Sequence, residues 1–299
     1  MKNYADFLTQ NNISFKENEP LSLHSTFKIG GDAKIFVIPS TSEELAIAVK
    51  GAKQFGIRTF IAGKGSNLVY PDKGFDGAVI STLSMNSVVV DGCRIIADAG
   101  VSVTELAVIA AKNSLTGLEF AYGIPGSLGG AVYMNAGAYD GDMCGVITSS
   151  RYYDTKNDSF GTFVGGTHCF GYRESIYKKN PDYIVLSVTL TLAKGDKSQI
   201  ESKMSDLLSR RKDKQPLEYP SAGSSFKRYP GRFTAQMIDE AGLKGFTVGG
   251  AQVSEKHAGF IINIGGATAD DVKRLSDVIK EKIFELHGIN IENEIIFVE

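Results

Sequence analysis

Residues 123–131 read GIPGSLGGA, and the chain continues to residue 139 as VYMNAGAY. Apart from Tyr122, Tyr133 and Tyr139, this run carries almost no bulky side chain. Small residues allow the main chain to lie against a planar ring or a pyrophosphate, and they also allow a helix to pack tightly against a sheet. Both interpretations fit the run. The first is favoured because a second loop upstream also suits phosphate.

This second loop is GKGSN at residues 63–67, directly after a predicted strand. Successive main-chain N–H groups in such a turn can form a nest for phosphate, to which the short side chains of Ser66 and Asn67 add donors. The spacing matches neither GxGxxG nor GxxxxGK[ST], so a plain strand-to-loop turn stays an alternative.

Around the two loops, the hydrophobic pattern predicts a mixture of strands and helices. The predicted strands cover residues 34–38, 58–62, 94–97, 184–192, 259–263 and 294–298. The predicted helices cover residues 45–54, 102–112, 197–214, 235–241 and 269–286. Residues 216–220 are predicted to be a linker, and we place a domain boundary there.

Composition excludes several classes of function. The 299 residues carry a formal net charge of −2, which argues against a surface for nucleic acid or anionic lipid. No apolar run approaches the ~20 residues of a membrane-spanning helix, and the N-terminus lacks the apolar core of a secretion signal. The three cysteines form no CxxC pair and the four histidines have no metal-binding spacing. We therefore expect reduced thiols, a cytoplasmic location and no metal.

Three side chains are candidates for chemistry. Ser224 lies in PSAGSSFKR at residues 220–228 without a G-x-S-x-G elbow, so its hydroxyl is better placed to give a proton than to attack. Arg173, among glycine and aromatic residues, can hold a carboxylate bidentately, although an ordinary surface arginine is the favoured alternative. Glu294 heads the last predicted strand, where a glutamate is usually solvated.

Taken together, these segments resemble the UDP-N-acetylenolpyruvoylglucosamine reductases, the MurB family of bacterial flavoenzymes, in their shorter type II form. The resemblance covers nearly the whole chain, from HSTFKIGG at residues 24–31 to the terminal strand. Seven motifs carry it in order: GKGSN (63–67), the glycine-rich run (123–137), YRES (172–175), AGSSFK (222–227), AGLKG (241–245), VSEKHAGF (253–260) and ENE (292–294).

The resemblance implies an α+β fold. A vanillyl-alcohol-oxidase-type or PCMH-type FAD-binding domain of two subdomains is expected to precede a C-terminal α+β substrate-binding domain. The first subdomain is expected to comprise residues 1–70 and the terminal strand 292–299. The second is expected to cover residues 71–200, and the substrate-binding domain residues 215–291.

The resemblance also implies the ligands. FAD, held non-covalently, is expected to contact Gly63, Lys64, Gly65, Ser66, Asn67, Tyr122, Gly123, Pro125, Gly126, Ser127, Gly129, Gly130, Ala131, Asn135 and Gly137. NADPH and UDP-N-acetylenolpyruvoylglucosamine are the expected co-substrates, and no obligate protein partner is expected. Lys214, Lys227 and Arg228 are expected to contact the sugar nucleotide.

By the same resemblance, Ser224 is the proton donor, and Arg173 and Glu294 are active-site residues. Hydride adds to the terminal methylene carbon of the enolpyruvyl group. Arg173 and Glu294, which in its protonated form can donate a hydrogen bond, stabilise the enolate-like charge that develops. Ser224 protonates the neighbouring carbon, a role for which a serine needs a proton relay or a neighbouring cation such as Lys227. Ser225 stands where the family has a larger apolar residue, so a second hydroxyl competes for the assignment.

The implied product is UDP-N-acetylmuramate, a precursor of peptidoglycan, which connects the chain to cell wall biogenesis, cell shape and cell division. Two other functions fit parts of the sequence. An FAD-dependent oxidase of small alcohols or sugars shares the fold, but residues 63–67 and 123–139 hold no His or Cys to tether the flavin. A catalytically silent nucleotide-binding module has no need of Arg173, Ser224 and Glu294 together.

Overall fold

A computed structural model describes all 299 residues and divides them into two compact units. Unit 1 comprises residues 1–17, 34–64 and 77–210. Unit 2 comprises residues 18–33, 65–76 and 211–299. None of the helices combines the length and apolar character that crossing a membrane requires.

The secondary structure is a mixture of helices and mostly short strands. The α-helices are α1 (Lys2–Gln10), α2 (Ser42–Gln54), α3 (Val103–Lys112), α4 (Leu128–Tyr133), α5 (Ile176–Lys179), α6 (Lys197–Lys214), α7 (Thr234–Glu240) and α8 (Ala269–His287). The strands are β1 (Ser14–Pro20), β2 (Asp32–Ile38), β3 (Thr59–Ala62), β4 (Leu68–Val69), β5 (Phe75–Ser81), β6 (Val88–Asp91), β7 (Arg94–Asp98), β8 (Leu115–Thr116), β9 (Gly137–Ala138), β10 (Gly141–Asp142), β11 (Ile147–Asp154), β12 (Ser159–Val164), β13 (Tyr183–Thr191), β14 (Ala193–Lys194), β15 (Thr247–Val248), β16 (Ala251–Val253), β17 (Ile261–Asn263) and β18 (Ile296–Phe297).

All five predicted helices are confirmed, as α2, α3, α6, α7 and α8. The last of them shows how the sequence sets both ends. At its start, the Thr268 hydroxyl accepts from the Asp271 N–H, and the Asp271 carboxylate accepts from the Thr268 N–H. At its end, Gly288 adopts φ = 66°, a left-handed conformation that glycine reaches without steric cost.

Unit 1 contains two hydrophobic cores. The first lies around a sheet of strand order β1-β2-β5-β3, against which α1 and α2 pack; the Tyr4 hydroxyl in α1 donates to the Ala48 carbonyl in α2. The second lies around a five-stranded antiparallel sheet of order β12-β11-β13-β7-β6 and includes the buried faces of α3 and α4. The glycine-rich run is therefore part of the second core.

Unit 2 has a single core. The three-stranded sheet β15-β16-β17 and the apolar faces of α7 and α8 supply most of it. Phe27, Ile29 and Val69 are buried in the same core, although they lie far upstream in the sequence. The terminal strand β18 pairs in parallel with β4.

These contacts group the chain differently from the predicted boundaries. Residues 18–33 and 65–76 belong with residues 211–299, because their apolar side chains pack in the C-terminal core and β4 binds the terminal strand. The functional division into residues 1–70, 71–200 and 215–291 stays a prediction.

Candidate active site

The glycine-rich run 123–131 is fixed against the segment that leads into α3. Three main-chain N–H groups donate across this contact: Val103 to Gly126 (3.1 Å), Leu128 to Val101 (2.8 Å) and Gly129 to Ala99 (2.8 Å). The Thr104 hydroxyl adds a link, because it accepts from the Gly123 N–H and donates to the Ile124 carbonyl, both at 3.1 Å. The sequence did not single out Thr104, since a threonine in the first turn of a helix is ordinary.

Ser127 stands directly before α4 with its hydroxyl in an unusual setting. The residue is 2% exposed, and its Oγ has no hydrogen-bond partner within the protein. A Cβ on Gly63 would lie 2.0 Å from that oxygen, so the hydroxyl occupies the position that a side chain at residue 63 would take. A buried hydroxyl without a partner costs roughly 1–3 kcal/mol, which a bound phosphate oxygen would recover. Gly63 and Ser127 therefore fit a phosphate group of FAD.

We expect Ser127→Ala to weaken FAD binding about 10-fold, since a hydrogen bond to a charged group contributes ~1.5 kcal/mol. The apo-protein should be at least as stable as the wild type, because the unsatisfied hydroxyl is removed. Gly63→Ala should weaken FAD binding further, since its methyl group displaces the Ser127 Oγ. Flavin titration of the apo-proteins and their thermal unfolding measure both effects. Unchanged FAD affinity in both variants contradicts the assignment.

Residues 65–67, in unit 2, form a turn with free donors. The main-chain N–H groups of Gly65, Ser66 and Asn67 donate to no protein acceptor. Gly65 adopts φ = 65°, and a Cβ there would lie 2.1 Å from the His24 carbonyl oxygen, so only glycine fits. Consecutive free N–H groups suit an anion, and the contact of residues 65–67 with FAD stays a prediction.

Other residues predicted to bind the cofactor have visible packing roles. A Cβ on Gly129 would lie 3.0 Å from the Ala99 Cβ, and one on Gly137 would lie 2.6 Å from the Gly141 carbonyl oxygen. Ala131 is buried in the second core of unit 1. Tight packing, the alternative interpretation of the run, thus explains part of its composition. Of the remaining predicted residues in the two loops, Gly126 is buried, Tyr122 and Gly123 are half-buried, and Lys64, Pro125 and Gly130 are exposed.

The loop of Ser224 pairs with the segment that carries Glu294. The Glu294 N–H donates to the Ser225 carbonyl, and the Lys227 N–H donates to the Glu292 carbonyl, both at 2.9 Å. These two bonds form a short antiparallel pairing within unit 2. The structure therefore brings together two of the three residues predicted to be catalytic.

The two adjacent serines are in different environments. Ser225 is 1% exposed; its hydroxyl accepts from the Ile261 N–H at 3.0 Å, and its own N–H donates to the Gly259 carbonyl at 2.8 Å. Ser224 is half-buried, and its hydroxyl makes only a long 3.4 Å contact with the Phe226 carbonyl. The hydroxyl of Ser225 is therefore used inside the fold, whereas that of Ser224 is available.

The residues predicted to contact the sugar nucleotide lie in unit 2. The Lys227 ammonium is 2.7 Å from the Glu292 carboxylate, and the Arg228 guanidinium lies 5.4 Å from the centre of the Phe233 ring. Lys214 is the exposed last residue of α6. Their contacts with the nucleotide stay predictions.

Arg173, in unit 1, lies in a tight turn. Gly171 and Glu174 exchange two main-chain hydrogen bonds of 3.1 and 3.2 Å across it. Arg173 adopts φ = 57°, a conformation that costs a non-glycine residue roughly 1–2 kcal/mol and that is common at functional sites. The Lys178 ammonium donates to the Arg173 carbonyl at 2.9 Å, and the guanidinium lies 5.1 Å from the centre of the Tyr172 ring. The sequence did not single out Lys178.

Asn135, predicted to bind the cofactor, has a side chain that holds this turn. It is buried and left-handed, with φ = 41°. Its Nδ2 donates to the Gly171 carbonyl at 3.0 Å, and its Oδ1 accepts from the Cys144 N–H at 2.9 Å. Close by, the buried Ser175 hydroxyl donates to the Tyr133 carbonyl at 2.7 Å. The turn of Arg173 is thus anchored on both sides.

A buried histidine lies just before the same turn. His168 is 1% exposed, and its Nδ1–H donates to the Gly165 carbonyl at 2.8 Å. Its Nε2 then accepts from the Ser150 hydroxyl at 2.8 Å, and Ser150 accepts from Tyr177 at 2.6 Å. This network is fully satisfied with a neutral ring, and burial lowers the pKa of His168 below its usual value near 6.5.

Stability should therefore fall as the pH is lowered from 7.5 to 5.5. Between the ordinary pKa and the lower pKa of folded His168, the unfolded chain binds a proton that the folded protein excludes, so acid favours unfolding by at most ~1.4 kcal/mol per pH unit. His168→Gln should reduce this dependence in urea unfolding curves. Some dependence should remain, because burial also lowers the pKa of His257. An equally steep dependence in the variant contradicts the assignment.

Comparison with known proteins agrees with these observations. The family model for the C-terminal domain of UDP-N-acetylenolpyruvoylglucosamine reductase matches residues 215–298, and that for an FAD binding domain matches residues 33–154. The UDP-N-acetylenolpyruvoylglucosamine reductase of Caldanaerobacter subterraneus is 44% identical over 93% of this chain and 91% of its own length. That of Clostridium botulinum is 43% identical over 98% of this chain and 94% of its own length.

A solved structure agrees as well. The crystal structure of UDP-N-acetylenolpyruvylglucosamine reductase from Thermus caldophilus superposes with a TM-score of 0.80 at 31% identity, over 96% of this chain and 99% of that one. The expected FAD-binding α+β fold is thereby confirmed. The chain belongs to the UDP-N-acetylenolpyruvoylglucosamine reductase family and is an FAD-dependent oxidoreductase.

Proposed function

We propose that the chain uses NADPH to reduce the enolpyruvyl group of UDP-N-acetylenolpyruvoylglucosamine to UDP-N-acetylmuramate. The observation that carries the proposal is the pairing of the Ser224 loop with the Glu294 segment, since it brings a free hydroxyl and a carboxyl residue together. The reaction belongs to peptidoglycan precursor synthesis, and through it to cell wall biogenesis, cell shape and cell division. We place it in the cytoplasm, with no obligate protein partner.

The reaction adds a hydride and a proton to the two carbons of a vinyl ether. FAD, when bound and reduced by NADPH, would supply the hydride. Ser224 supplies the proton to the carbon that bears the carboxylate, and its hydroxyl is suited to this because no short hydrogen bond within the fold occupies it. A serine is a weak acid, so the ammonium of Lys227 is needed to stabilise the developing alkoxide.

Negative charge develops on the enolpyruvyl carboxylate before the proton arrives. Arg173 binds this carboxylate with its planar guanidinium, which forms two parallel hydrogen bonds with such a group. Glu294 acts on the same developing charge through its carboxyl group. Lys214 and Arg228 provide positive charge for the diphosphate of the sugar nucleotide.

Anaerobic titration of the purified holoenzyme tests the proposal. NADPH should bleach the visible flavin band, and enolpyruvyl-UDP-N-acetylglucosamine should restore it with formation of UDP-N-acetylmuramate. Flavin should be released on denaturation, because no covalent tether is expected. If the reduced enzyme is not reoxidised by the sugar nucleotide, the proposed substrate is wrong.

A further inference from the structure

Asn67 makes two hydrogen bonds to the segment that carries Glu294. Its side-chain Nδ2 donates to the Glu294 carbonyl at 3.0 Å, and its main-chain carbonyl accepts from the Ile296 N–H at 2.9 Å. Both bonds lie within unit 2. The sequence alone predicts only a cofactor contact for Asn67.

The side-chain bond substitutes for a bond of the β-ladder. In the parallel pairing of β4 with β18, Ile296 lies opposite Leu68. One step earlier, the main-chain N–H of Asn67 would bind the Glu294 carbonyl if the ladder continued. The side-chain amide takes that place, and the main-chain N–H stays outside the ladder among the free donors of residues 65–67.

Asn67 therefore has two functions that its neighbours in the turn do not combine. Its main-chain N–H belongs to the turn that suits a cofactor phosphate, and its side chain fixes the main chain of Glu294. From Glu294 the connection continues to the Ser224 loop, because the Glu294 N–H donates to the Ser225 carbonyl.

We propose that Asn67 is a positioning residue, whose side-chain amide holds Glu294 and the paired Ser224 loop in register with the cofactor-binding turn. This inference rests on the proposed function. The Asn67 side chain then affects the half-reaction in which the sugar nucleotide receives its proton, whereas the main chain of the turn binds the cofactor.

The test compares Asn67→Ala and Asn67→Asp with wild type. Asn67→Asp keeps the shape of the side chain but loses the donor. Asn113→Ala is the matched control, since the Asn113 side chain also donates to a main-chain carbonyl, that of Ile109 at 2.8 Å, at an exposed helix end. Four quantities are measured: FAD affinity, flavin reduction by NADPH, flavin reoxidation by enolpyruvyl-UDP-N-acetylglucosamine, and amide hydrogen exchange of residues 292–298 in the apo-protein.

Both Asn67 variants should slow reoxidation about 10- to 100-fold, because small displacements of a catalytic group have effects of this size. In Asn67→Ala, FAD affinity and flavin reduction should stay within about 3-fold of wild type, because the main chain of the turn binds the cofactor. Asn67→Asp should bind FAD more weakly, because its carboxylate repels the phosphate. Exchange at Glu294 and Ile296 should become faster in both variants, and Asn113→Ala should change none of the four quantities.

Three results overturn the inference. The first is loss of FAD affinity in Asn67→Ala with equal slowing of both half-reactions, which makes the side chain a cofactor ligand. The second is unchanged reoxidation in both variants, and the third is unchanged exchange at residues 292–298. If wild type itself fails to reduce the sugar nucleotide, the proposed function falls, whereas the exchange measurement still decides whether Asn67 holds the segment.

Discussion

Ser224→Ala should slow reoxidation of the reduced flavin by the enolpyruvyl sugar nucleotide by several orders of magnitude, while reduction by NADPH stays nearly intact. The reason is that only the second half-reaction delivers a proton to carbon, and the hydroxyl of residue 224 is the group left available for it. General acid catalysis typically contributes 10²–10⁴-fold, so the expected loss is about 10³-fold. Single-turnover absorbance measurements under anaerobic conditions separate the two half-reactions.

Ser225→Ala is the matched control for this variant. The hydroxyl of Ser225 accepts a hydrogen bond from the buried Ile261 N–H, so its removal leaves that donor unsatisfied. The expected result is a loss of roughly 1–3 kcal/mol in the free energy of unfolding, with a much smaller effect on reoxidation. Comparable losses in both half-reactions for Ser224→Ala would instead make Ser224 a structural residue.

The second large effect is expected for Arg173→Lys. The substitution retains the positive charge and the left-handed main chain, but it removes the planar pair of donors that matches a carboxylate. Loss of one such stabilising interaction typically lowers a rate 10²–10³-fold, and we expect a loss in this range for reoxidation by the sugar nucleotide. Reduction by NADPH should change far less.

Lys178→Ala separates the effect of the Arg173 guanidinium from the effect of the turn that positions it. The Lys178 ammonium binds the Arg173 carbonyl, so this variant should loosen the turn and leave the guanidinium itself in place. Its reoxidation rate should therefore fall between those of wild type and Arg173→Lys. If Arg173→Lys lowers both half-reactions equally, Arg173 does not act on the substrate carboxylate.

Much of the fold could be predicted from local patterns. The long helices α6 and α8 were predicted nearly to their ends, because charged and apolar residues alternate at helical spacing and glycine stops α8. Strands with polar or exposed residues were missed. Strand β12 (SFGTFV) is largely exposed and lacks the alternation of a half-buried strand.

Two strands are shorter than predicted, because side-chain hydrogen bonds or a turn take the place of main-chain pairing at their first residues. The terminal strand was expected over residues 294–298 but covers Ile296–Phe297, because Glu294 is bound by the Asn67 side chain and by Ser225 instead. Similarly, the strand expected over residues 259–263 begins at Ile261, after a turn in which the Phe260 N–H donates to the His257 carbonyl.

The sequence could indicate which residues belong to the candidate site, but not the hydrogen bonds that hold them there. Motifs and the family resemblance singled out Ser224, Arg173 and Glu294, but they left Ser225 as a competitor. A hydrogen bond from the Ile261 N–H, which no local pattern indicates, occupies the Ser225 hydroxyl and favours Ser224 for the proposed role. No local pattern indicates the contacts of Asn67 and Asn135 either, because their side chains donate to main-chain carbonyls 227 and 36 residues away.

The burial of Phe27, Ile29 and Val69 in the C-terminal core limits how this protein can be dissected. A recombinant fragment that starts at residue 211 would lack these three side chains and the strand β4 that pairs with its own terminus. Such a fragment would expose an apolar cleft and an unpaired strand edge, both of which promote aggregation. Modules taken from sequence boundaries alone are therefore poor candidates for domain exchange between relatives, unless the two upstream segments are transplanted with them.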